Sequence, residues 1–254
     1  MKSVLLNDLV PYLDAFLRLG EWKDYPGAWN GLEVEGRSEV RLIAAAVDGS
    51  AASAEAAAEM NADLLLVHHG FFWDSHRPIV GRYLRRLAPL IRNEISVYSA
   101  HLPLDAHPEV GNSAILLRKL GLEPTGSFYS HGGKDVGLLA DTDVQRDDIA
   151  ARLQTALGGP IRNQFLFGPE RCHRVGVITG GGGSAIGEAK DAGVDLFITG
   201  EGAQHTYFDA RELELNVFYG GHYATETFGV KALAAHLKEH FGVEWKFLDI
   251  PTGL

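Results

Sequence analysis

The stretch SAASAEAAAEMNADLLLVHHG, residues 50–70, reads as a serine-started, alanine-rich helix running into a short apolar strand that ends in two histidines. A second stretch, SAIGEAKDAGVDLFITGE at residues 184–201, repeats the plan: Ser-Ala, a helix, then Asp-Leu and an apolar strand. The aspartates before the two strands are separated by 195 - 63 = 132 residues. The glycines of VEGRSE (34–39) and LFGPER (166–171) give the same offset, 168 - 36 = 132. A third pair follows, with ISVYSAHLPLD at 95–105 facing LNVFYGGHYATE at 215–226, and in each a histidine precedes a carboxylate by four residues. The chain is therefore expected to be a duplicated α/β fold: two lobes with largely parallel strands and a metal site between them. The boundary rests on the duplication and on GLEPTGS (121–127), which places the first lobe at residues 1–126 and the second at 127–254.

Composition narrows the chemistry. The 254 residues are 46% hydrophobic, enough to bury a sizeable core. Asp8 and Asp14 interrupt the apolar pattern of MKSVLLNDLVPYLDAFL, which spoils a signal-peptide core, and no apolar run reaches membrane-spanning length, so a cytoplasmic protein is expected. Cys172 is the only cysteine, which rules out an intrachain disulfide and leaves nitrogen and oxygen as metal ligands. A formal net charge of -10 disfavours nucleic acid and anionic membrane as partners.

In parallel sheets functional groups gather beyond the carboxyl ends of the strands. His68 and His69 follow DLLLV, His101 and Asp105 follow ISVYSA, Glu201 follows DLFITG, and His222 and Glu226 follow NVFYGG. Imidazoles and carboxylates without thiolates suit borderline divalent ions such as Zn, Mn, Fe or Co, and the carboxylates of Asp105 and Glu226 would offset the repulsion of two ions. A lone histidine at a strand end is more often a structural hydrogen-bonder, but two adjacent ones serve a common site if the chain turns at Gly70. TGGGG (179–183) fits either an anion cradle or a crowded turn, and Phe71, Phe72 and Trp73 fit either ring stacking or core.

The motifs VHHGFFW (67–73), AHLPLDAHPEVGN (100–112), TGGGG, DLFITGE (195–201) and GHYATETFGVKAL (221–233) together resemble the dinuclear-metal, toroidal-hexamer family commonly labelled GTP cyclohydrolase 1 type 2 homologue. The resemblance spans both halves nearly end to end. It implies that His68, His69, Asp105, His222 and Glu226 bind two divalent ions per chain, with His101 beside them, and that the chain forms a homo-oligomer, most simply a hexamer. Tyr223 stands where many members carry a second histidine, and the domain that longer members insert between the halves is missing. The expected activity is metal-dependent hydrolysis of a nucleotide-like substrate with water as nucleophile, and Glu201 or His101 moving the proton. A non-catalytic metal-binding or interaction scaffold is the competing reading, and orientation of a ligand histidine is the competing role for Glu201.

Overall fold

A computed structural model describes residues 2–73 and 77–254. The chain divides into two compact units, one formed by the chain up to Leu104 with Gly229–Ile250, the other by Asp105–Phe228 with Pro251–Leu254. The chain leaves the first unit after Leu104 and returns to it at Gly229. The reason is a strand at the far end: Glu244–Phe247 pairs in parallel with Leu42–Asp48 and completes the first sheet.

The first unit holds a five-stranded sheet in the order Glu244–Phe247, Leu42–Asp48, Leu64–His69, Ser96–Ser99, Gly31–Val34. Three of its pairings are parallel, and only the Gly31–Val34 edge runs antiparallel. Alternation sorts its side chains by face: Ala44, Ala46, Leu65, Val67 and Val97 pack with Ala54, Ala57, Leu87 and Leu90 of the helices Ala51–Glu59 and Gly81–Arg92. The first of these helices starts in a capping box, with Ser50 and Ser53 bonding each other's backbone N–H. The Leu6–Phe16 helix is tied to the same unit by the Tyr98 hydroxyl, which donates to Asp14 Oδ1 at 2.8 Å.

The second unit holds a six-stranded mixed sheet in the order Gly126–His131, Lys134–Gln145, Arg171–Ile178, Leu196–Thr199, Asn216–Tyr219, Asn163–Leu166. Its three middle strands from Arg171 to Tyr219 are parallel and its outer pairings antiparallel. Val175, Val177, Leu196, Ile198 and Phe218 face one buried cluster, while Phe197, Val217 and Tyr219 face another, so the sheet is covered on both sides.

The duplication extends to individual hydrogen bonds. Asp63 accepts from the N–H of Arg41 and Leu42, and Asp195 accepts from the N–H of His173 and Arg174, the same positions shifted by 132. The Gly36 N–H donates to the Ser96 hydroxyl and the Gly168 N–H to the Asn216 side chain, at 3.0 and 3.1 Å. Both aspartates tie the start of one strand to the start of its parallel neighbour, the job a carboxylate does where backbone N–H groups lack ladder partners. Among the described residues no helix is long and apolar enough to cross a membrane.

Candidate metal centre

In the first unit, His68 and His69 are the last two residues of the Leu64–His69 strand, and the chain bends just beyond it, past Gly70 at Phe71. That bend is held by Glu33, whose carboxylate accepts from the N–H of Phe71 and Phe72 at 2.8 and 3.1 Å. A Cβ on Gly70 would sit 2.7 Å from the Glu33 carboxyl carbon, so a larger residue would push that carboxylate away from the Phe71 and Phe72 N–H groups. Phe71 is buried core, 3% exposed, which settles one aromatic of VHHGFFW as packing.

His68, His69 and His101 of this unit each have their Nδ1 committed. His68 Nδ1 lies 2.8 Å from the Ala100 carbonyl, His69 Nδ1 2.8 Å from Asp48 Oδ1, and His101 Nδ1 2.9 Å from Asp24 Oδ1. Carbonyl and carboxylate oxygens only accept, so each Nδ1 carries the hydrogen, and Nε2 is the nitrogen that the neutral ring offers to a metal. The three rings lie together, with centroid separations of 4.7, 5.0 and 5.6 Å. Their ligand nitrogens fall within 4.8 Å of one another, a donor set that fits a borderline divalent ion.

Asp24 is the most elaborated of these supports. Its carboxylate also accepts from the Asn30 amide and the Leu102 N–H, at 2.9 and 3.1 Å. Burial alone would raise its pKa, but the bond to and charge of His101, with the Asn30 and Tyr25 donors, hold it down to about 2. Asp24 is therefore an anion throughout the physiological range, and it fixes the His101 tautomer.

In the second unit, Asp105 is buried, 8% exposed, and its Oδ1 accepts from Asn112 Nδ2 at 2.8 Å and Thr179 Oγ1 at 3.3 Å. His222 opens the His222–Phe241 helix. Its Nδ1 lies 2.8 Å from Glu201 Oε1 and its Nε2 3.2 Å from Glu226 Oε2, one helical turn on. Burial would lower the His222 pKa, but the two carboxylates outweigh it and push the value up to about 9. Glu226 itself is 3% exposed and Glu201 is exposed, so the imidazolium joins a buried anion to a solvated one.

The glycine loop is explained by packing against this pair. Gly180 has φ +66°, and a Cβ on it would lie 2.9 Å from the Glu226 carboxyl carbon and 3.2 Å from His222 Nε2. A Cβ on Gly182 would lie 2.7 Å from Thr199 Oγ1. Crowding, the second of the two readings of TGGGG, accounts for these positions. Gly180→Ala is accordingly expected to leave the fold standing but to lower metal affinity at least about tenfold, because the methyl group displaces the Glu226 carboxylate. Metal retention during dialysis, with circular dichroism as the folding control, checks this.

Of the supporting residues, Asn112 and Thr179 lie inside quoted motifs, whereas Asp24 and Asn30 do not stand out in the sequence. Asp48 carries a signal, standing at the carboxyl end of an apolar strand before Gly-Ser. Asp24 carries none, since it meets a histidine 77 residues away.

Comparison with known proteins follows the same lines. The family model described as Duf34/NIF3 (NGG1p interacting factor 3) matches residues 4–252. A protein of Archaeoglobus fulgidus named GTP cyclohydrolase 1 type 2 homolog is 45% identical over 98% of this chain and 99% of its own. A protein of Deinococcus radiodurans with the same name is 43% identical over 98% and 94%. The crystal structure of TTHA1606 from Thermus thermophilus superposes with a TM-score of 0.90 at 42% identity, covering 99% of this chain and 100% of that one.

Proposed function

Because the chain belongs to the Duf34/NIF3 family, whose relatives carry the GTP cyclohydrolase 1 type 2 homolog name, we propose that it is a metal-dependent hydrolase acting on a nucleotide-like substrate. In this reading His68, His69, Asp105, His222 and Glu226 hold two divalent ions per chain. The observation that carries it is the convergence of His68, His69 and His101, each with Nδ1 bonded to an acceptor and ligand nitrogens within 4.8 Å. Three rings fixed in one tautomer and gathered at a strand end are prepared for a cation.

A divalent ion at this site would supply Lewis acidity toward a carbonyl or phosphoryl oxygen, or a ring nitrogen, beside the reacting atom and toward water. The chain's own groups do the rest. Asp24 keeps His101 Nδ1 protonated, leaving Nε2 to accept a proton from an attacking water or to serve as a further ligand. Glu201 holds His222 Nδ1–H, and being exposed it can exchange a proton with solvent. That bond favours orientation of His222 as its main task, with proton transfer second.

Assembly as a homo-oligomer, with a hexamer as the specific expectation, is part of the same proposal. It is supported by Ile79, Val80, Leu84 and Ile91, large apolar side chains that stand 47–66% exposed in the first unit. Light scattering at micromolar concentration tests it, a mass near 27.6 kDa counting against it.

Metal analysis of protein loaded with Zn, Mn, Fe or Co is expected to give about two ions per chain. A panel of GTP, other nucleotides and phosphoesters then tests the chemistry. If the loaded wild type turns over none of them with any of the four metals, the hydrolase reading falls and the scaffold reading replaces it.

A further inference from the structure

The second unit carries a cleft of about 400 Å³ at the carboxyl ends of the Leu196–Thr199 and Asn216–Tyr219 strands, lined by aromatic rings that the metal ligands do not use. From it we infer a binding site for a planar heteroaromatic ring of the nucleobase type, walled by Phe165, Tyr207, Phe208 and Tyr219. The inference rests on the hydrolase reading only in making that ring part of the substrate. Binding of the ring stands apart from turnover.

The walls are built in a herringbone. Phe165 meets Tyr207 at 5.2 Å and 86°, and Tyr219 at 5.3 Å and 84°, while Tyr207 meets Phe208 at 5.3 Å and 88°. Tyr207 and Phe208 remain exposed in this array, and a flat guest can extend it by stacking. Phe165 and Tyr219 are buried, but Tyr207 is 38% and Phe208 53% exposed. They stand on the short helix Thr206–Glu212, whose inward positions Thr206 and Ala210 already fill the core side.

The cleft floor is pinned. The Thr206 hydroxyl donates to the Ala203 carbonyl at 2.5 Å, so the Tyr219 hydroxyl, 2.6 Å away, donates to it in turn. A Cβ on Gly202 would lie 2.7 Å from the Tyr219 phenol carbon, which glycine avoids, letting the 201–204 loop rest on the ring. Such a preformed cleft costs little ordering on binding.

Three features select a heterocycle over other occupants. The volume matches a base with part of its sugar, at the small end of ligand cavities. Carboxamides of Asn163 and Gln204 bring both donors and acceptors to the lining, suited to the edge of a base. No lining residue is charged, so this is a ring site and not a phosphate site. Its loop begins at Glu201, which bonds His222, so a ring held here lies one residue in sequence from the support of a proposed metal ligand.

The test uses the full chain, with and without divalent metal, titrated calorimetrically with guanosine, adenosine and uridine. At least one nucleoside is expected to bind in both metal states. Tyr207→Ala and Phe208→Ala should each weaken that binding about 5- to 100-fold, the range of single base-stacking contacts. Phe208→Trp should restore it, and Phe208→Leu, which keeps apolar area without a ring, should not. The inference is overturned if none of the three nucleosides binds at millimolar concentration, if Phe208→Ala or Phe208→Leu binds as wild type does, or if Phe208→Ala instead lowers the mass seen by light scattering, which would make the cleft an interface between chains. Nucleoside binding that depends on Phe208 in a protein without turnover would leave the ring site in place and remove only the hydrolase reading.

Discussion

Glu226→Ala is expected to yield folded protein that retains fewer than two ions per chain and has no hydrolytic activity. The carboxylate is 3% exposed and faces His222 Nε2 at 3.2 Å, so its burial is matched to a positive partner, imidazolium or metal. In the proposed two-ion site, removing it would deprive the ions of an anion that offsets their repulsion. The loss should exceed the 10- to 100-fold drop typical of residues that only support a ligand, so affinity should fall by more than about 100-fold. Asp48→Asn supplies the contrast, since Asp48 touches His69 Nδ1 and offers no ligand atom of its own to the proposed ions. Its activity should recover at high metal concentration, whereas that of Glu226→Ala should not. Two ions retained by Glu226→Ala, measured by elemental analysis after dialysis, would remove Glu226 from the ligand set.

The parts of this site that sequence disclosed and the parts it hid differ in physical kind. Strand ends carrying histidines were legible because an apolar run followed by imidazoles breaks the burial pattern abruptly, as at Val67-His68-His69. The duplication was legible because matched aspartates hold equivalent strand starts, and the bonds of Asp63 and Asp195 show why those two residues recur. What escaped were contacts made across long sequence separations by residues with no periodic setting. Asp24 sits in an irregular segment ahead of the first sheet's edge strand and acts on His101. The antiparallel edge strands and the return of Glu244–Phe247 to the first sheet were hidden as well, because a four-residue strand carries the same local pattern whichever sheet receives it. Gly180 shows how duplication misleads when read too literally. It occupies the position of Asp48 shifted by 132, yet where Asp48 accepts from a histidine, Gly180 exists to leave room for the Glu226 carboxylate and His222.

Metal uptake is expected to release protons, and His222 identifies where one of them comes from. With its pKa at about 9, the metal-free imidazole is charged at neutral pH, its Nδ1–H on Glu201 and its Nε2–H on Glu226. Ligation requires the Nε2 lone pair, while the Nδ1 bond to Glu201 can persist, so the proton that leaves is the one facing Glu226. The sign follows directly: below about pH 9 an ion must displace that proton, and affinity should rise about tenfold per pH unit from neutrality upward before levelling near pH 9. Calorimetry at pH 7.5 in buffers of different ionisation enthalpy counts the protons released. His222→Ala should release about one fewer per chain than wild type, which separates the imidazole proton from any lost by coordinated water. Glu201→Gln removes one of the two carboxylates that raise the pKa, so the levelling point should move to lower pH while ions are still bound. Identical proton counts for wild type and His222→Ala would mean that His222 is not a ligand. The carboxylates on either side of it would then be serving an ion pair internal to the second unit.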